Sequence, residues 1–93
     1  MKQYLGMYII HPEQTEEQVK TIIQDLAKIF EENGGKVLEI DEWGMRDLAY
    51  EINYLKKGYY VKFRVEASAE TIAEYERICN IREEIIRHII VKD

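Results

Sequence analysis

Apolar residues along this chain repeat with two periods, and the switches between them mark out six elements. Tyr4 to Ile10 is a β-prone run, closed by His11-Pro12 because proline lacks the N–H that a ladder needs. Val19, Ile22, Ile23, Leu26, Ile29 and Phe30 then recur at three- and four-residue spacing, the stripe of a helix with one buried side. Thr15-Glu-Glu-Gln18 has the form of a capping box, and Asn33-Gly34-Gly35 supplies residues that accept positive φ, which predicts a helix from about 16 to 33. From Lys36 the period becomes two. Val37, Leu38 and Ile40, then Leu48, Tyr50 and Ile52, predict a strand that bends or bulges around Trp43-Gly44-Met45.

Tyr54 to Gly58 is the expected turn of a long hairpin. Its return strand, Tyr59 to Glu66, alternates cleanly, with Tyr59, Val61, Phe63 and Val65 on one face and Tyr60, Lys62, Arg64 and Glu66 on the other. Ser68 suits the N-cap of a shorter second helix striped by Ile72, Tyr75, Ile78 and Cys79 until Asn80, and Ile85 to Val91 reads as a final strand. The order β-α-β-β-α-β is the ferredoxin-like split βαβ arrangement, an α+β fold of one domain over 1–93. Its right-handed crossovers place two helices on one face of a four-stranded antiparallel sheet and leave the other face open.

The first strand is apolar on both sides: Tyr4, Tyr8 and Ile10 on one, Leu5, Met7 and Ile9 on the other. One set lines the open face, so Leu5, Met7 and Ile9, flanked by Tyr60 and Tyr50, are expected to form a protein-binding patch larger than a monomer usually exposes. The competing arrangement has the hairpin covering them.

Composition narrows the function. With 93 residues, 46% hydrophobic and 33% charged, the chain has too little length for two cores and too much apolar content for disorder. A domain this small buries only about 60–65% of its unfolded surface, which leaves little sequence for a deep substrate cavity. Cys79 is the only cysteine, so no internal disulfide forms and a cytoplasmic location is expected. No run approaches the roughly 20 apolar residues that span a bilayer.

The net charge of −5 opposes nucleic-acid binding, but it is uneven: residues 1–50 hold five basic against ten acidic side chains, and 51–93 hold eight of each. Arg46, Arg82, Arg87, Lys92 and Lys2 are the candidate phosphate contacts, since arginine pairs bidentately with phosphate oxygens. Arg87 faces the open side if Ile86 and Ile90 point inward. Lys2 and Lys92 sit on neighbouring strands, at ends expected to lie apart. His11, His88 and Cys79 have no metal-ligand spacing, and no cofactor is implied.

The stretch Gly44-Met-Arg46-Asp-Leu48-Ala49-Tyr50-Glu-Ile52, followed by Gly58-Tyr59-Tyr60, resembles the bacterial small-subunit ribosomal protein six family, as do the opening Met1-Lys2-Gln3-Tyr4 and the closing Ile86-Arg87-His88. The resemblance implies a ribosome-bound structural protein that pairs with small-subunit protein eighteen and binds a junction in the central domain of small-subunit ribosomal RNA. It adds weight to Arg46 and Arg87. Asp47 departs from the family pattern, standing where many relatives carry a second basic residue.

Two other classes fit less well. Lys57-Gly-Tyr-Tyr60-Val-Lys-Phe63 resembles the base-stacking segment of RNA recognition motifs but leaves Tyr60 as the only open-face aromatic, so a structural strand is the simpler expectation. Trp43 beside Gly44 either stacks on RNA or pins the hairpin, and packing is the simpler expectation. Acylphosphatases share the topology but require a glycine-rich anion cradle with an arginine after the first strand, where this chain has His11-Pro12-Glu13, so neither an enzyme nor a small-molecule substrate is expected. The remaining alternative is a homo-oligomeric ferredoxin-like ligand-sensing or interaction module.

Overall fold

Six elements follow in the order that the periodicities predict: β1 Lys2–Ile10, α1 Glu16–Glu32, β2 Lys36–Ile52, β3 Leu55–Ala67, α2 Ala69–Ile81 and β4 Ile85–Lys92. The computed structural model describes residues 2–52 and 54–93; Met1, part of the opening motif, and Asn53 lie outside the described residues. The Thr15 hydroxyl accepts from Gln18 N–H while the Gln18 side chain accepts from Thr15 N–H, so the capping box closes both ways. Ser68 caps α2 through Thr71 N–H.

The sheet order is β2-β3-β1-β4, with every neighbouring pair antiparallel. Tyr8 and Ile10 of β1 and Val61, Phe63 and Val65 of β3 point to the helix side. There they meet Val19, Ile22, Leu26 and Phe30 of α1 and Tyr75 and Cys79 of α2. Four rings, Tyr8, Phe30, Phe63 and Tyr75, pack in tilted and edge-on pairs with centroids 5.4–5.8 Å apart. Ile85 rather than Ile86 enters this core, because the β1–β4 register shifts between Ile9 and Ile10; Ile90 packs against the core from β4.

The β2–β3 hairpin is longer and tighter than the turn signals suggest. Strand pairing reaches Ile52↔Leu55, so Leu55 to Gly58 belongs to β3, and Tyr54 turns with φ 67°. The bend expected around Trp43 is present as a register shift between Glu42 and Gly44, and Gly44 takes φ 82°, a conformation glycine adopts without cost. Beyond the bend, residues 46–57 form an arm that continues past the sheet.

Candidate functional site

Side-chain alternation sends Leu5, Met7 and Ile9 of β1 away from the helices, and strand register sets what stands beside each. Across β3, β1 and β4 the rows run Tyr60–Ile9–Arg87, Lys62–Met7–Ile89 and Arg64–Leu5–Val91. On the far side of β3, Asp41 pairs with Lys62 and Glu39 with Arg64. The open face is therefore divided lengthwise. Its β2–β3 half carries alternating charges, whereas its β1–β4 half is an apolar strip in which Ile89 is 50% and Val91 56% exposed.

The arm closes one end of this strip. Leu48, Ala49, Tyr50 and Ile52 face Met7, Ile9, Tyr60, Arg87 and Ile89 across a groove of about 290 Å³. Ile9 is consequently buried, 5% exposed, which removes it from the expected docking patch. The physical reason is Gly58: a Cβ there would collide with Ile9 Cγ2, so the missing side chain lets Ile9 seat against the arm. Arg87 Nη1 donates to Tyr50 Oη, and its guanidinium lies 5.5 Å from the Tyr50 ring centroid, pinning arm to sheet. Arg87 thus faces the open side as expected, although it reaches that orientation with Ile86 outside the core.

Tyr60 is not the only aromatic on this face. Trp43 stacks on it with centroids 6.4 Å apart and planes 7° from parallel, donates from Nε1 to Asp41 Oδ2 at 2.9 Å, and has Lys62 5.8 Å from its ring centroid. The two rings are offset, so Trp43 lies against Tyr60 while remaining 42% exposed.

The candidate cations fall into four places. Lys2 and Lys92 meet at one end of the sheet, because antiparallel strands set the start of β1 beside the end of β4 and Lys92 pairs with Tyr4; the expectation that these ends lie apart is corrected. Arg87 sits five β1 residues further along, about 17 Å away at strand rise. Arg46, on the arm, donates from Nε to Trp43 O at 3.2 Å. Among the described residues, none of these four has a carboxylate within 4.0 Å. Arg82 differs: its Nη2 lies 2.6 Å from Asp25 Oδ2 and its Nη1 3.7 Å from Glu84 Oε2, on the helix side, so its charge is already matched. Asp47 lies 4.0 Å from Lys57, and the pair is largely exposed, so the family departure locally offsets a neighbouring cation without adding much stability.

Charge separates by layer. The helices and adjoining loops, 13–32 and 69–84, hold eleven acidic and four basic side chains, while the rest of the chain holds seven acidic and nine basic. The net −5 therefore resides on the helix layer, and the sheet with its arm is slightly cationic.

Ile89 and Val91 escaped the sequence reading. Their signal is the same two-sided apolarity that marks β1: Ile85-Ile-Arg-His-Ile-Ile-Val-Lys92 places apolar residues at both parities, and only one set can enter the core.

Comparison with known proteins agrees with this geometry. A family model described as Ribosomal protein S6 matches residues 3–92. Over all 93 residues the chain is 50% identical to Small ribosomal subunit protein bS6 of Acholeplasma laidlawii, covering 98% of that protein, and 42% identical to its counterpart in Carboxydothermus hydrogenoformans, covering 97%. The crystal structure of 30S ribosomal protein S6 from Thermotoga maritima superposes with a TM-score of 0.93 at 30% identity, over 99% of this chain and 87% of that one. An Arabidopsis thaliana protein at 11% identity and TM-score 0.56, covering 100% and 93% of the two chains, shares the fold alone.

Proposed function

Because the chain belongs to the ribosomal protein S6 family, we propose that it is a structural component of the small ribosomal subunit that holds central-domain ribosomal RNA and small-subunit protein eighteen together, and catalyses nothing. The observation that carries the protein half of this reading is the apolar strip of Leu5, Met7, Ile89 and Val91 on a sheet face that no helix covers. A strip depleted of charge and bounded by arginine and aromatic side chains has the composition of an interface centre. Tyr50 and Tyr60 form its rim at the arm end.

The RNA half is supported by the unmatched cations Arg46, Arg87, Lys2 and Lys92 and by the placement of acid on the helix layer. RNA approaches the arm and the two ends of the sheet, away from the acidic surface of the helices. With the sheet and arm only slightly cationic and the whole chain at −5, the partner supplies most of the counterion release.

Reconstitution with purified partner and a central-domain RNA fragment tests the reading. Met7→Asp and Ile89→Asp should each abolish co-elution with the partner while leaving the chain folded, and unchanged co-elution would remove the strip from the interface. Arg46→Ala and Arg87→Ala should each lower the salt slope of RNA binding by about one unit. A stable homodimer in light scattering, sealed through Met7, would instead favour the homo-oligomeric sensing module.

A further inference from the structure

Lys2 and Lys92 project to the same side of the sheet, the side on which Tyr4 and Ile90 pack, at the end of the sheet away from the arm. Lys92 stands opposite Tyr4, so Lys2, two residues earlier on β1, is its diagonal neighbour, within reach of a long side chain. Register makes the two side chains neighbours, and the Lys92 pKa is pushed down, chiefly by Lys2 and secondarily by lost hydration. An ammonium only donates hydrogen bonds, so neither lysine satisfies the other, and while both are charged they repel.

No acidic side chain among the described residues relieves this repulsion, since none places a carboxylate within 4.0 Å of either nitrogen. Asp93, next in sequence, is held elsewhere: its N–H donates to Gln3 O and its carboxylate lies 3.4 Å from Arg64 Nε on the opposite side of the sheet. Two adjacent donors without an acceptor match an anion that offers two oxygens at once. A backbone phosphodiester presents two such non-bridging oxygens, and contact with them carries no sequence preference.

We propose that Lys2 and Lys92 act as one unit, clasping a single phosphate of the RNA backbone between them. This rests on the RNA reading above and sharpens it: two candidate cations count as one phosphate contact, at the sheet end opposite the arm. Arg46 and Arg87 then engage a separate stretch of backbone.

The test uses the reconstituted complex with Lys2→Ala, Lys92→Ala and the double variant. For a shared phosphate, the double variant lowers the salt slope by about one unit; two independent contacts lower it by about two, and no contact leaves it unchanged. Either of the last two results overturns the proposal. If the wild-type complex fails to bind the RNA before any substitution, the RNA reading itself falls, and the proposal with it. A second measurement addresses the contact directly. The side-chain pKa of Lys92, followed by NMR in the free chain, should rise when Lys2 is replaced by alanine; an unmoved value means the ammonium groups do not meet, and overturns the clasp.

Discussion

Gly58 shows how one atom's absence shapes the site. Its bare Cα gives Ile9 a seat, and that seat draws the arm over the end of the apolar strip. Gly58→Ala should cost about 1–3 kcal/mol, the usual range for forcing a methyl into a packed contact, read as a lower urea midpoint with unchanged m-value. Cys79 is a quieter case. Burial pushes its thiol up to about 11, so the native chain holds it protonated and poorly nucleophilic at pH 8. Iodoacetamide should label it only after unfolding, as followed by intact mass; rapid labelling of the native chain would mean that α2 opens. Its place on the apolar stripe was readable in advance, because a helical period states which residues face inward. The neutralisation of Arg82 was not, since Asp25 stands 57 residues away in the chain.

At the scale of elements, the helices were the most legible. Capping residues and period are local, and α1 begins where Thr15 and Gln18 place it. Thr15→Ala should therefore cost about 1 kcal/mol, measurable by chemical denaturation, because it strips an orphan N–H of its acceptor. The hairpin was less legible. Gly58 looked like turn chemistry but serves packing, and pairing continues to Ile52↔Leu55. The arm past the bend is tied to the sheet by the Arg87–Tyr50 contact, an exposed hydrogen bond reinforced by a cation over a ring. Tyr50→Ala should speed amide exchange across 46–57 while leaving the core amides of β1 and β3 protected; equal protection in the arm would show that the Ile9–Gly58 seat suffices to hold it.

At the scale of the molecule, acid concentrates on the helix layer, while the open sheet face divides into a charged half and an apolar strip. Acid lies over the helices, cations lie at the two ends of the sheet and along the arm, and the apolar strip runs between. In such a molecule the partner seat and the RNA contacts do not compete for the same residues. The net charge of −5 should keep the chain alone from binding RNA more tightly than roughly 10⁻⁴ M at physiological salt, the weak end of non-specific binding, as measured by filter retention. Tighter binding by the isolated chain would contradict a partner-dependent mode.

The linear sequence determined the six elements, the split βαβ order and the two-sided apolarity of the first strand, because period, capping and β-propensity act between residues a few positions apart. It also carried the motif of residues 44–60 that marks the family. Only the tertiary structure decided which apolar residues remain exposed, which cations find a carboxylate, and that Lys2 stands beside Lys92 in register. Those outcomes depend on strand register, on a bulge between Ile9 and Ile10, and on where a long hairpin folds back. Each is set by contacts between residues far apart in the chain, where no local pattern records the partner.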